Sequence, residues 1–124
     1  MIARIWFGKT KDSSRDEYFD YLEKTGIRDT KCTEGNRGVY VLRRVKDGIS
    51  EFLFITLWDS IEAVKKFAGQ DVEKAVYYPE DSKYLLELDP LVKHFEVLLA
   101  SKGRNSYNEG SFPRLMKYMK GIKI

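Results

Sequence analysis

His94 is the one histidine in the chain, and so the one side chain whose ordinary pKa lies near neutrality. It is the first candidate for moving a proton. Arg44 is a candidate for steadying a developing oxyanion, as a fixed positive charge does in acyl- and oxygen-transfer sites. Tyr77, next to Tyr78 in Ala75-Val-Tyr-Tyr-Pro-Glu-Asp81, offers a phenol that can hydrogen-bond a substrate phenol or quinone oxygen. Trp58 and Trp6 have the flat rings needed to stack on an aromatic molecule, and Tyr40 and Phe54 extend that set. Each has a plainer alternative. His94 can be a structural hydrogen-bonder, the tryptophans can fill a dimer core, and Arg44 can pair with Glu96 or Asp59. Cys32, the single cysteine, lies beside Lys31 without a histidine in sequence reach and reads as an inert thiol. One cysteine and one histidine make no metal cluster, so no metal is expected.

The elements that must carry these residues follow from period and punctuation. Ile2–Phe7 alternates as a strand and ends at Gly8. Ser14 and Glu17 form a capping-box pattern that opens a helix bearing Tyr18, Phe19, Tyr21 and Leu22, with Gly26 as its expected stop. Val39–Lys46 and Phe52–Trp58 are β-rich runs on either side of Asp47-Gly48, a hairpin signal. A second helix is expected from Asp59 or Ser60 to Gly69. A third, short one is expected from Asp71 to the break at Pro79, with another helical turn in Glu80–Leu86. Leu91–Leu99 reads as the last strand. The order β-α-β-β-α-β predicts an α+β, ferredoxin-like fold with an antiparallel sheet.

Period two sorts the strand residues into two faces. Ala3, Ile5, Phe7, Val39, Val41, Leu53, Ile55, Leu57, Phe95, Val97 and Leu99 form an aliphatic face, expected to meet the helices. Arg4, Trp6, Tyr40, Leu42, Arg44, Phe52, Phe54, Thr56, Trp58, Val92, His94 and Glu96 form the other, expected at a ligand cavity or a subunit interface. A sheet with helices on one face must cover the other, and a second copy of the chain is the simplest cover.

Composition bounds the rest. At 124 residues, 43% hydrophobic and 33% charged, the chain is sized and balanced for one globular domain. The net charge of +3 is uneven. From Ala100 onward six Lys and Arg stand against one Glu, a net +5, which leaves −2 on residues 1–99. Residues 1–99 are therefore read as the domain and 100–124 as a basic tail, with Phe112–Ile124 as a short amphipathic helix for docking. The N-terminus does not read as a signal peptide, and no apolar run reaches a membrane-spanning length. A cytoplasmic protein with neither membrane nor nucleic-acid partner is expected.

The runs Gly35-Asn-Arg-Gly-Val-Tyr-Val41, Phe52–Ser60 ending in Trp58-Asp59-Ser60, Phe67–Asp81 and Pro90–Val97 resemble the antibiotic-biosynthesis-monooxygenase family. That resemblance covers about residues 1–99 and implies a dimeric α+β barrel of two ferredoxin-like protomers. It implies a cofactor-independent monooxygenase acting on an aromatic or polyphenolic small molecule, so that no cofactor is expected. A non-catalytic, dimeric small-molecule-binding or stress-response module is the alternative, with haem degradation placed behind both. Trp58 matches the tryptophan with which several members line their cavity. Trp6 or Phe7 stands where haem-degrading members carry an asparagine, and Tyr77 where they carry the ligating histidine. Phe54 occupies the asparagine position of the cofactor-free oxygenases. In the oxygenase reading, His94 is the base and Arg44 or Tyr77 the oxyanion stabiliser. Trp58 and Trp6 shape the slot there.

Overall fold

The computed structural model describes residues 1–106; the expected Phe112–Ile124 helix lies outside the described residues. Four strands form one antiparallel sheet: β1 (Ile2–Lys11), β2 (Asn36–Lys46), β3 (Ile49–Trp58) and β4 (Lys93–Glu96), in the order β2-β3-β1-β4. The helices are α1 (Arg15–Leu22), α2 (Arg28–Lys31), α3 (Ile61–Ala68) and α4 (Asp81–Tyr84). This is the expected α+β, ferredoxin-like arrangement. β1 lies between β3 and β4, pairing Trp6 with Phe54 and Arg4 with both Thr56 and His94. None of the helices among the described residues is long and apolar enough to cross a membrane.

On β1, β3 and β4 the two sheet faces are the reverse of the expectation, while β2 keeps the faces expected of it. Arg4, Trp6, Gly8 and Thr10 of β1, and Ser50, Phe52, Phe54, Thr56 and Trp58 of β3, are all buried under the helices. Trp6, Phe52 and Phe54 pack with Tyr18 and Leu22 of α1, while Trp58 packs with Ala63 and Val64 of α3. The aliphatic residues Ile5, Leu53, Ile55 and Leu57 face away. The bulge between Asn36 and Gly38 sets the phase of β2, so that Val39 and Val41 lie opposite Thr56 and Phe54, on the helix side. Tyr40, Leu42 and Arg44 therefore share the uncovered face with Ile55, Leu53 and Glu51. Trp58 is fully buried, so its face cannot be a subunit interface.

The physical reason lies in the polar atoms. Buried N–H and O–H groups need partners, and β3 itself and the turn after β1 supply them. Trp58 Nε1 donates to Thr56 Oγ1 at 2.8 Å, and Ser50 Oγ donates to Asp12 at 2.9 Å. A flat aliphatic face asks for no such partners.

Three local expectations are also corrected. Ser14 makes no side-chain cap; it sits in a 3-10 turn, Asp12–Ser14, where Asp12 takes hydrogen bonds from Ser50 and Arg15. Gly26 does not stop its helix. It is buried inside a π-helical stretch, Glu23–Ile27, that leads into α2. Residues 71–79 form no helix. Instead Lys74 bridges to Leu91, the Ala75 N–H donates to the Pro90 carbonyl, and the Val92 N–H donates to the Glu73 carbonyl. The segment is too short to offset helix nucleation, and a residue before proline, here Tyr78, disfavours the α region. By contrast Ser60 does cap α3, accepting from the Ala63 N–H at 3.2 Å, and Gly69 ends it at φ +83°.

Asp47 and Gly48 form the expected two-residue hairpin, with φ of +53° and +75°, the signs a type I′ turn requires. A Cβ at Gly48 would meet nothing within 4 Å. Gly48→Val therefore costs backbone strain alone, about 1–2 kcal/mol, seen as a lower urea midpoint with an unchanged slope.

Candidate functional site

Between the sheet and its helices lies a cavity of about 30 Å³. Its floor is Arg4, Trp6, Phe54 and Thr56. Tyr18, Leu22 and Gly26 wall it from the α1 side and Phe67 from α3. Val76, Tyr77, Tyr78, Asp81 and Val92 close it. The volume suits a water molecule and excludes an aromatic ring. A ring enters only if one wall moves, and residues 76–78 form the wall that belongs to no helix or strand.

The site is aromatic with a few placed polar atoms. Trp6 meets Tyr77 edge-on at 6.3 Å between ring centroids and lies 6.5 Å from Tyr18. Its Nε1–H donates to Tyr77 Oη at 3.1 Å, and the Tyr77 hydroxyl donates onward to the Asp89 carbonyl at 2.5 Å. Tyr78 donates from its hydroxyl to Asp29 at 2.8 Å. Burial is the main cause that lifts the Tyr77, Tyr78 and Tyr18 phenols above their ordinary pKa; at Tyr78 the bond to Asp29 adds to it. These tyrosines act as neutral donors.

Asp81 is the carboxylate of the cavity. It is 5% exposed and accepts the Tyr78 backbone N–H at 2.6 Å. Burial raises its pKa, and that hydrogen bond opposes the rise. A desolvated carboxyl of this kind holds a proton more readily than one in water.

Arg4 contributes the positive charge. Its guanidinium donates to the Val72 carbonyl, to the Lys74 carbonyl at 2.9 Å, and to His94 Nε2 at 3.2 Å. Arginine has no acceptor atom, so His94 Nε2 must be the acceptor and the ring proton must sit on Nδ1. Burial first and the Arg4 charge second lower the His94 pKa, against a smaller opposing pull from Glu73. Its free lone pair is already engaged, and it does not line the cavity. His94 is thus a partner of Arg4 in this geometry, not a group facing substrate.

Of the sequence-derived candidates, the structure brings Trp6, Phe54 and Tyr77 together at the cavity. Trp58 lies fully buried nearby, stacked with Phe67 at 5.9 Å, and does not line it. Tyr40 is 60% exposed on the far face. Arg44 is there too, donating to Glu51 at 2.5 Å, neither to Glu96 nor to Asp59. The sequence reading missed Asp81, Tyr18 and Gly26 as cavity residues. Arg4 had a visible signal: an arginine at an inward position of a central strand. Asp81 had none beyond its place after Pro79.

No protein-family model and no curated protein matches the chain. Among solved structures, a Bacillus cereus protein described as an antibiotic biosynthesis monooxygenase matches with a TM-score of 0.56 at 18% identity. That match covers 81% of this chain and 97% of the other. A mutant of MhuD, with two manganese protoporphyrin IX molecules bound per active site, matches with a TM-score of 0.55 at 18% identity. It covers 83% of this chain and 100% of that one. The chain shares their fold.

The His94 arrangement has a pH signature. The folded chain holds its pKa below the ordinary 6.5, so above that value the histidine costs nothing. As the pH falls below it, the unfolded chain takes a proton that the folded one resists, and stability is lost. His94→Gln keeps an acceptor for Arg4 and removes the titration. Its melting temperature should therefore fall less between about pH 7 and 5 than that of the parent chain.

Proposed function

We propose that the cavity binds an aromatic, phenolic small molecule, and that the chain is a small cofactor-independent monooxygenase working as a homodimer. The observation that carries this reading is a buried carboxylate, Asp81, lining a small cavity walled by Trp6, Tyr18, Phe54 and Tyr77. The shared fold of a protein described as an antibiotic biosynthesis monooxygenase supports it.

The chemistry is simple to state. Asp81 takes the phenolic proton, which its raised proton affinity favours. The resulting phenolate is electron-rich enough to reduce dioxygen directly. Oxygen adds at a ring C–H carbon as a hydroperoxide, and loss of water leaves a quinone. The aromatic walls exclude solvent, and Tyr77, whose hydroxyl is held between Trp6 and the Asp89 carbonyl, serves as one of those walls. A closed site strengthens each of these interactions by removing competing water.

Haem does not fit these residues. Tyr77 already donates to Asp89 and accepts from Trp6, and burial opposes the phenolate that iron would need. His94 offers Nε2 to Arg4 instead. Addition of haemin should leave its Soret band where it lies in buffer.

The homodimer rests on the uncovered sheet face. Tyr40, Leu42 and Phe95 are each about half exposed or more there, around half-buried Ile5, Leu53 and Ile55. A contiguous patch of this kind marks an interface, and a twofold axis lets one face cover its own copy. Sedimentation should give twice the 14.5 kDa chain mass, and Ile55→Glu should give the monomer.

Oxygen uptake with a panel of polycyclic phenols tests the activity. Asp81→Asn should lower the rate by about 10²–10⁴ while leaving ligand binding in place. Binding without oxygen uptake by the parent chain would instead favour the non-catalytic binding module.

A further inference from the structure

Arg4 is 5% exposed, and among the described residues it is the one buried side chain with a fixed positive charge. A buried charge ordinarily sits against an opposite one. Arg4 makes no ion pair with any described carboxylate. Its partners among the described residues are two backbone carbonyls and a histidine nitrogen: Val72, Lys74 and His94. Those bonds use both Nη1 hydrogens and one on Nη2. The Nε–H and the second Nη2–H have no protein acceptor among the described residues. Asp81 lines the same cavity but is bonded to the Tyr78 N–H.

The guanidinium is also fixed in orientation. The Phe67 ring lies 6.0 Å from its central carbon, and the backbone of residues 72–74 holds its far edge. Burial lowers its pKa only to about 10, so it stays charged at neutral pH. A charged fork with two unused donors beside aromatic walls matches an oxyanion on a flat ring.

We propose that Arg4 is the specificity-determining residue of the cavity, and that it selects aromatic ligands carrying an anionic oxygen, as a ring carboxylate or an ionised ring hydroxyl. This rests on the cavity being a ligand site. The ligand's oxygen completes the hydrogen bonding of Arg4 and neutralises its charge, while the ring lies against Trp6 and Phe54. Lodging the ring displaces the wall at residues 76–78, so the affinity lost in opening is regained through the ion pair.

Calorimetric titration with three 2-substituted naphthalenes tests this. 2-Naphthoate should bind the parent chain at about neutral pH at least ~10-fold more tightly than 2-naphthamide, its neutral isostere. Arg4→Met should abolish that ratio, and Arg4→Lys should keep part of it. If Arg4→Met fails to fold, the ratio in the parent chain still decides. 2-Naphthol separates the two anion sources. If it matches naphthoate only as rising pH ionises it, a ring hydroxyl serves as the anion; if it stays weak throughout, the anion is a carboxylate. Equal binding of naphthoate and naphthamide overturns the role of Arg4 and leaves the cavity reading intact. Absence of binding by all three overturns the cavity reading, and the proposal with it.

Discussion

The Trp6 indole lying along Gly8 is the contact on which the helix-side packing depends. Both residues point inward from the central strand β1, two positions apart, and a methyl group at Gly8 would lie 2.1 Å from Trp6 Cη2. The missing side chain lets the ring lie down against the strand instead of standing off it. In that pose it reaches Tyr18 on one side and Tyr77 on the other. Burying an indole removes roughly 150–250 Å² from water, worth several times the ~1 kcal/mol of its hydrogen bond to Tyr77. Packing therefore sets the position of the ring, and the hydrogen bond then orients Tyr77.

A second consequence runs from the same strand to the loop beyond α3. Had residues 71–79 formed the helix that their composition suggests, their carbonyls would point along its axis and into its own ladder. Extended, they leave the Val72 and Lys74 carbonyls free to receive Arg4. The loop is therefore organised by a cation on the sheet, and the cation is held in place by the loop. The paired backbone at Lys74 and Leu91 then brings β4, with His94, into register beside Arg4.

Much of this order was legible in the sequence. The two middle strands, the Asp47-Gly48 turn, the Ser60 cap and the succession of elements follow from local patterns that tertiary contacts did not override, whereas β1 runs past Gly8 to Lys11 and the expected Leu91–Leu99 strand joins the sheet only over Lys93–Glu96. The faces did not, because alternation states which residues share a side and is silent on which side the helices take. Both sides of this sheet are apolar, and what decides between them is long-range: the partners that Trp6 and Ser50 find in Tyr77 and Asp12. The bulge at Asn36–Gly38, which shifts β2 against β3, falls at a glycine inside a strand, which marks where a bulge can lie and not how it sets the register. For the same reason Tyr40 and Arg44 separate from Trp6 and Phe54, with which they share a period in the sequence. Asp81 becomes a cavity residue only because the chain folds back after Pro79, a placement that no local spacing encodes.

The strand order leaves β2 at the margin of the sheet, with one row of backbone N–H and C=O groups unmatched along 11 residues. Its middle, Val39-Tyr-Val-Leu42, is the kind of segment onto which a stray chain can add as a further strand and seed fibrils. The same strand also carries Arg37, Arg43, Arg44 and Lys46. Stacking further copies along that margin would bring four like charges per chain into line at the ~4.8 Å strand spacing. A charge ladder of that density makes fibril growth costly at low ionic strength and cheaper in salt, where screening shortens its reach.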